Sequence, residues 1–515
     1  MKKGTIAARY DKADGDRMAL LDRIRSYALL TIPSVLPPVG QKITDETGLS
    51  WQNVGSDGVS NLVGRLLMSL FAPGMAWFRY AISPKIEFNP AVPPEKILAF
   101  RGYLYARELI IQSMLDRTNY RTAMTPVLEQ VLVAGNGLFQ IQDDFSFKAF
   151  RFDHWVGRRD SSRRLMWVVT KECVDRNELS EDVIARANLD PAKPGSYEDD
   201  LDLYTLCERT RDGKYRITQE LNGAVVAEST EPVSPFIWCG YQENPGEHYS
   251  RGFVELKSAD LRSLNGLTRA IVEKSISMAK TIPVFDPSKG YAAEDFAKPN
   301  MTVIAGRVTG NMPDGIGFVQ TNQAGDMGVT GQVAGVIEKR LGRSMLLEAT
   351  SQPTGERVTA TQIMRIAQEI EGAIGSSYSM IASELQQPLL ERIAYMLEHK
   401  GYMIPMPVEL KEASAFKVLT GLEALARKTE LDGLITALQT LALVPGAAER
   451  LNSQELMNRV MQAYNINPVN LIKSDEQLKA EQAQMMQQQL GAAAAQQLIQ
   501  SSGKIAEQQA MPAAA

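Results

Sequence analysis

Residues 253–280 read FVELKSADLRSLNGLTRAIVEKSISMAK, a stretch in which large apolar residues recur at the spacing of one helical face. These apolar residues are Leu256, Leu261, Leu264, Leu267 and Ile271. Pro283 follows shortly afterwards, and proline cannot continue a helix because it lacks the backbone N–H group. The sequence therefore predicts one long amphipathic helix that ends near residue 280.

A second helical pattern lies downstream, at residues 329–348. Its apolar side is marked by Val333, Val336, Ile337 and Leu341, and its other faces carry Glu338, Lys339, Arg340 and Arg343. Between the two helices, residues 282–321 are rich in proline and glycine but contain apolar runs at 301–304 and 316–319 that are typical of strands. Two long helices are thus expected to bracket a small β or α/β insertion.

The region before this helix pair mixes helices with strands. Residues 14–30 and 96–133 follow helical periods, whereas residues 139–238 contain short strand-like runs. The dipeptides Asp212-Gly213 and Asn222-Gly223 favour tight hairpin turns because these residues tolerate positive φ. We therefore predict an α+β fold, mainly helical, with a compact β unit inserted at about 139–240.

The most apolar stretch of the chain is residues 61–78. A membrane-spanning helix needs about 20 mostly apolar residues, and Arg65, Ser69 and Pro73 interrupt this one. We interpret it as an amphipathic core helix. A membrane-associated scaffold that oligomerises through this helix and the C-terminal tail remains an alternative function.

The region after the second helix begins with a polar segment, 350–356, which contains Pro353 and Gly355 and is therefore expected to be a loop. Thr359 and Gln362 have capping-box spacing, and isoleucines then mark one face, which predicts a helix to residue 399 with a bend near Pro388. The tail at 474–515 is dominated by glutamine and alanine. It has too few large apolar residues to form its own core.

The amino-acid composition limits the classes of function that this protein can have. The chain has 515 residues, of which 44% are hydrophobic and 22% charged, and its formal net charge is −5. Such a chain is long enough for several packed units, and any contact with DNA must be local because there is no excess of positive charge. Its three cysteines are far apart and have no metal-binding or disulfide pattern.

A nucleic-acid-processing enzyme is the second alternative function, and it would require a phosphate loop or a convergent set of acidic residues. The sequence contains neither a G-x-x-x-x-G-K-[ST] phosphate loop nor a G-x-S-x-G nucleophile elbow. The paired acids Asp143-Asp144 and Asp199-Asp200 are adjacent in loop-like segments, which is typical of a solvated surface. The sequence therefore predicts no enzyme activity, no metal site and no cofactor.

Aromatic residues cluster between positions 145 and 155, close to several arginines and lysines. This pattern has two interpretations, a stacking platform for single-stranded nucleic acid or the buried side of a small β unit. The second is favoured because a half-buried strand requires alternating aromatics. The residues concerned are Phe145, Phe147, Phe150, Phe152 and Trp155.

Several segments together resemble the portal, or head-to-tail connector, proteins of short-tailed bacteriophages. The strongest similarity is at 355–362, continuing through Tyr378 and 384–389 to Arg392. Further segments agree in order and spacing, and these are residues 30–38, 58–63 through 72–73, and 245–252 into 264–265. The resemblance covers roughly residues 14–470 and leaves only the glutamine- and alanine-rich tail outside.

The resemblance implies a portal fold assembled as a ring. Its parts would be a wing at 1–252, a first stem helix at 253–281, a clip at 282–328, a second stem helix at 329–349, a tunnel loop at 350–358, a wing spine helix at 359–400, a crown at 401–473 and the tail at 474–515. Twelve copies would surround a channel.

The resemblance also implies a function and a set of partners. The ring would stand at one capsid vertex and pass double-stranded DNA, without sequence specificity, during packaging and ejection. Its partners would be the packaging ATPase (terminase), tail or adaptor proteins, and the major capsid and scaffolding proteins, with no membrane. The protein would be made in the bacterial cytoplasm and end in the virion.

The residues expected to face the DNA lie in the tunnel loop and on the second stem helix. They are Thr350, Ser351, Gln352, Thr354 and Glu356 in the loop, and Glu338, Lys339, Arg340 and Arg343 on the helix. Ring symmetry would multiply one inward cation into a belt of positive charge. The alternative for the helix residues is a solvated face or salt bridges between neighbouring stems, and the sequence does not decide between them.

Overall fold

The computed structural model describes residues 5–40, 50–72, 77–87, 89, 92–189, 200–279, 282–285, 288, 308–309, 312–313, 316–319, 324–348, 360–411 and 414–418, with the single positions 436, 439 and 485. The chain divides into two compact units, residues 1–81 with 107–424 and residues 82–106 with 425–515. The predicted tunnel loop, most of the clip, most of the crown and nearly all of the tail lie outside the described residues.

Helices form the first part of the larger unit. They are α1 (Ile6–Asp16), α2 (Met18–Leu29) and α3 (Val54–Leu70), with a 3₁₀ turn at Pro33–Val35. The side chain of Thr5 accepts a hydrogen bond from the N–H of Ala8 and so caps the start of α1. Leu62 and Leu66 of α3 are fully buried, so a core helix is present, but it ends at Leu70, and Phe78, the last residue of the predicted stretch, begins a strand.

A short strand and three further helices follow. They are β1 (Phe78–Ile82), α4 (Pro84–Glu87), α5 (Pro94–Arg117) and α6 (Tyr120–Val133). In the described part of the smaller unit, α4 and the first half of α5 are the helical elements. In the larger unit, α6 is buried along most of its length and packs against α3.

The predicted β unit is confirmed, and it consists of two antiparallel sheets. Their strands are β2 (Asn136–Ile141), β3 (Phe147–Phe150), β4 (Trp155–Arg159), β5 (Leu165–Asp175), β6 (Asp200–Arg209), β7 (Tyr215–Leu221), β8 (Ala224–Glu231) and β9 (Phe236–Gly240), with α7 (Glu181–Arg186) between β5 and β6. One sheet has the order β3-β2-β9 and the other β4-β5-β6-β7-β8. Asn222 and Gly223 join β7 to β8 with φ of 51° and 75°, as their turn chemistry predicts.

The helix pair predicted around the insertion is also present. Helix α8 (Phe253–Ala279) has the predicted bounds to within one residue, whereas α9 (Ala324–Ser344) begins five residues before the predicted start. Gly325 and Gly328 lower helix propensity, which is why the pattern alone placed the start too late. Strands β10 (Ile282–Phe285), β11 (Val308–Thr309), β12 (Met312–Pro313) and β13 (Ile316–Val319) lie between the two helices, and β10 pairs with β13.

The spine helix predicted over 359–400 is wrong as a single element. The structure has two helices, α10 (Ala360–Ile374) and α11 (Ser376–His399), separated by Gly375. Gly375 has φ of 62° and ψ of −136°, a conformation open to glycine and closed to residues with a Cβ. Helix α11 continues through Pro388, so the break lies at Gly375 and the predicted bend site does not end the helix.

The last described elements are α12 (Val408–Lys411) and β14 (Ser414–Val418), and β14 pairs with β1. One continuous apolar core joins α3, α6, the three-stranded sheet, α8, α9, α10 and α11 in the larger unit. The aromatic cluster contributes to this core, since Phe147, Phe150, Phe152 and Trp155 are all buried. The interpretation of these residues as the buried side of a β unit is therefore confirmed.

Candidate functional site

The first feature of the candidate site is the packing of α8 against α9. Leu261 and Leu264 of α8 and Leu341 of α9 are buried in the common core. Arg340 of α9 forms an ion pair with Asp260 of α8. Apolar contact and one exposed ion pair thus hold the two helices side by side within one chain.

A stripe of valines on α9 is left uncovered. Val329, Val333 and Val336 recur at spacings of four and three, which places them on one helical face, and they are 63%, 47% and 66% exposed. On α8, Leu256 and Ile276 are 57% and 51% exposed. Contiguous apolar surface of this kind marks an interaction site in a folded protein. We refer to Val329, Val333 and Val336 as the valine stripe.

The structure places the four predicted stem residues at the surface. Glu338 and Lys339 are exposed. The side chain of Arg340 is 62% exposed and is paired with Asp260, and that of Arg343 is 76% exposed and lies 3.5 Å from a carboxylate oxygen of Glu348. Two of the three cations thus have carboxylate partners within the same chain, a possibility that the sequence analysis had not considered.

An open groove of about 760 Å³ brings the three predicted cations together. Lys339, Arg340 and Arg343 of α9 lie on one side of it, and Glu369 and Gly372 of α10 lie on the other. Glu369 accepts a hydrogen bond from Arg65 of α3 at 2.8 Å and therefore does not stand free to neutralise the groove. The groove lies beside the end of α9, and two of its three cations are paired with carboxylates, so the positive charge that it offers is weak.

The predicted loop residues Thr350, Ser351, Gln352, Thr354 and Glu356 lie outside the described residues, but the chain leading to them is anchored. The side-chain amide of Asn61 donates to the carbonyl oxygens of Met345 and Leu346, at 2.9 and 3.0 Å. A Cβ added at Gly58 would stand 2.0 Å from the Met345 sulfur, so only glycine fits there. The sequence predicted a core helix from residue 61 onwards but did not predict that Asn61 and Gly58 contact the end of α9.

The strongest segment of the resemblance contains a buried polar clamp. Glu384 of α11 accepts hydrogen bonds from Arg159, at 3.1 Å to each oxygen, from Arg163, and from the N–H of Gly240 at 2.8 Å. Burial lowers the pKa of Arg159, and the charge of Glu384 opposes that effect. Arg392 is likewise buried and forms an ion pair with Glu231. These residues join the sheets to α11, so their role is structural.

Features that would support the two alternative functions, a nucleic-acid-processing enzyme and a membrane-associated scaffold, are absent from the described residues. Within those residues, no group of three or more histidine, cysteine, aspartate or glutamate side chains is arranged to hold a metal ion. Helices with the length and apolar character needed to cross a bilayer are also absent from the part of the chain that the structure describes. The aromatic cluster is in the core and offers no stacking surface.

Comparison with known proteins identifies relatives along most of the chain. A family model described as bacteriophage head to tail connecting protein matches residues 3–471. The portal protein of Enterobacteria phage T3 is 30% identical over 494 residues, covering 93% of this chain and 90% of the relative. The portal protein of Escherichia phage T7 is 30% identical over 492 residues, with the same coverage of both chains.

Among solved structures, a chain from the virion of a native gene transfer agent particle has a TM-score of 0.33 at 13% identity. The alignment covers 77% of this chain and 88% of the gene transfer agent chain. A similarity of this size supports no conclusion about function. The family match and the two phage relatives are independent of it. Because that match extends over residues 3–471, the chain belongs to the family of bacteriophage head-to-tail connecting proteins.

Proposed function

We propose that this protein is the portal subunit of a bacteriophage. Copies of the chain form a closed ring at one capsid vertex, and double-stranded DNA passes through its centre during packaging and ejection. The observation that carries the proposal is the valine stripe, because a helix that exposes three valines on one face requires a partner. A neighbouring copy in a ring covers the same stripe on every subunit. Twelve copies is the number that the family resemblance favours.

The parts of the portal are assigned to the chain as follows. Residues 1–252 form the wing, 253–281 and 329–349 the stem helices, 282–328 the clip, 350–358 the tunnel loop, 359–400 the spine, 401–473 the crown and 474–515 the tail. The packing of α8 against α9 and the pairing of β10 with β13 support the stem and clip. The proposed spine consists of two helices, α10 and α11, separated by Gly375.

The channel surface consists of the tunnel loop and the basic groove on α9. A tube for DNA of any sequence needs no base contacts, and strong neutralisation of phosphates would slow the DNA because each contact adds salt-dependent affinity. The pairing of Arg340 with Asp260 and of Arg343 with Glu348 reduces the charge available to the DNA. Weakly positive belts and the polar residues of the tunnel loop would therefore let the DNA slide through the channel.

The partners follow from this role. The clip docks the packaging ATPase and later the tail or adaptor proteins, while the wing and crown contact the capsid and scaffolding proteins. The relatives from phages T3 and T7 are both named portal proteins, which supports this assignment. The chain acts as a structural component of the virion, and its enzymatic partner, the motor, is a separate protein.

Negative-stain electron microscopy and sedimentation velocity of the full chain test the ring. We expect closed rings with a central hole. Replacing both Val333 and Val336 by aspartate should abolish the rings, since two charges per subunit would be buried in each contact. The circular dichroism spectrum of this variant should match that of the wild type.

Val225→Asp is the matched control, because Val225 is also an exposed valine, at 55%, but lies on β8 away from the stem helices. This variant should form rings like the wild type. A wild-type chain that stays monomeric at micromolar concentration would contradict the proposed function. If the double variant still forms rings, the valine stripe is not part of the contact between subunits.

A further inference from the structure

A second cavity lies beside the β-sheet region, next to the loop that precedes α8. Its volume is about 470 Å³, and it opens between the junction of α1 with α2, the β4–β5 edge and the loop at 246–251. That loop is part of segment 245–252, one of the segments that resemble portal proteins. The proposed portal role assigns no binding partner to it. Its lining includes Arg17, Arg23, Arg158 and Tyr249.

Arg17 is the most buried arginine of this cavity, at 4% exposure. Its guanidinium lies over the ring of Phe152, at 4.8 Å from the centroid, and its Nε donates to Asp14 at 3.0 Å. Its Nη1 is buried and finds no hydrogen-bond acceptor among the described residues. A buried N–H group without an acceptor is unfavourable, so this atom favours an acceptor placed in the cavity.

Arg23 and Arg158 provide further donors to the same cavity. The Nε of Arg23 is also buried and has no acceptor within the described part of the chain. Arg158 is exposed at the rim, and neither it nor Arg23 forms an ion pair with any residue that the structure describes. The lining also includes two carboxylates, Asp16, which is exposed, and Glu247, which pairs with Arg251. Two arginines, Arg17 and Arg23, therefore have buried N–H groups without an acceptor in one place, and Arg158 adds an exposed guanidinium at the rim.

The remaining arginine of the cavity serves to hold its wall. Arg251 donates to Glu247 at 2.6 Å and to Glu255 at 3.2 Å, so its charge is compensated. Asn136 fixes the same loop, because its side chain donates to the carbonyl of Ser250 at 2.8 Å and accepts from the N–H of Ser250 at 3.0 Å. The loop is thus rigidly placed, and the cavity is formed before any ligand binds.

We propose that this cavity is a binding site for a phosphate-type oxyanion, held by Arg17 from the floor and by Arg23 and Arg158 from the sides. Guanidinium groups match the oxygens of phosphate through paired N–H donors. Two arginines without a carboxylate partner balance an ion of two negative charges better than one of a single charge. The proposal is independent of the assignment as a portal subunit.

Isothermal titration calorimetry of the full chain with inorganic phosphate tests the site, at an ionic strength held constant with sodium chloride. We expect saturable binding of one phosphate per chain, and no saturable binding of acetate under the same conditions. Replacing both Arg23 and Arg158 by glutamine should weaken phosphate binding by about tenfold or more, since each charged hydrogen bond contributes that much. Arg17→Gln should weaken it as well.

Arg211→Gln is the control for lost charge, because Arg211 is exposed in the turn between β6 and β7, outside the cavity. It should bind phosphate like the wild type. If Arg17→Gln fails to fold, as circular dichroism would report, the Arg23 and Arg158 double variant decides the matter. Wild-type protein that shows no saturable phosphate binding would overturn the proposal, and so would acetate binding as tightly or the double variant binding like Arg211→Gln.

Discussion

Two arginines that tie the β-sheet region to α11, Arg159 and Arg392, are buried and paired, whereas two arginines of α9, Arg340 and Arg343, stay in water near exposed valines. The side chains of Arg159 and Arg392 are 6% and 2% exposed, against 62% and 76% for Arg340 and Arg343. A buried ion pair fixes one geometry because breaking it leaves an uncompensated charge. An exposed pair constrains little. The contact between the sheets and α11 is thus fixed within one chain, whereas the arginines of α9 remain exposed to solvent.

The largest expected effect comes from breaking the clamp between the sheets and α11. Glu384→Ala leaves Arg159 buried without its carboxylate, and we expect a loss of about 3–5 kcal/mol in the free energy of unfolding. Thermal and urea unfolding followed by circular dichroism measure it. Glu391→Ala, at an exposed position of the same helix, should lower stability by less than about 0.5 kcal/mol. Equal effects of the two variants would contradict the clamp.

The second prediction concerns the close contact between α3 and the end of α9. Gly58→Ala should cost about 1–3 kcal/mol, because the new methyl group would overlap the side chain of Met345. Gly64→Ala on the same helix meets nothing within 4 Å and should be neutral or stabilising by about 1 kcal/mol. Unfolding midpoints of the two variants provide the measurement. A destabilised Gly64→Ala would show that helix propensity does not govern that position.

The third prediction concerns Glu108, a half-buried acid of α5 that contacts β1. Glu108 accepts a hydrogen bond from the N–H of Tyr80 at 2.6 Å, and burial raises the pKa of Glu108 to about 7 from 4.5. Because the folded chain holds this proton more tightly, its contribution to stability is complete below pH 4.5 and is lost as pH rises to about 7. Glu108→Gln should remove that part of the pH dependence.

Melting temperatures of the wild type and Glu108→Gln between pH 4.5 and 8 test this. The difference between the two should grow with pH in favour of the variant and become constant above about pH 7. A difference that is the same at all pH values would show that Glu108 does not titrate in this range.

The smallest effect is expected at the stem. Arg340→Gln removes an exposed ion pair with Asp260 and should change the free energy of unfolding by less than about 1 kcal/mol. A double-mutant cycle with Asp260→Asn, at low and high salt, measures the coupling. A coupling energy as large as the loss in Glu384→Ala would erase the contrast between the two regions.

Regular local patterns allowed much of the fold to be predicted. The helix at 253–280 and the hairpin turn at 222–223 appear where the sequence places them, and the core helix predicted at 61–78 is present but spans Val54–Leu70. Membership of the head-to-tail connector family, expected from short segments, is confirmed over residues 3–471. The bounds of α9 and the break in the spine were missed, because glycine weakens a helix without indicating which glycine ends it.

The sequence by itself determined the elements and the family, since helical periods, turn dipeptides and motif order depend on residues close together in the chain. The tertiary structure alone decided what the polar residues do. Glu384 meets Arg159 across 225 positions, and Asn61 holds Met345 across 284. Burial and partner are properties of this distant packing, so a charge that must be buried and a charge that stays in water look alike in the sequence.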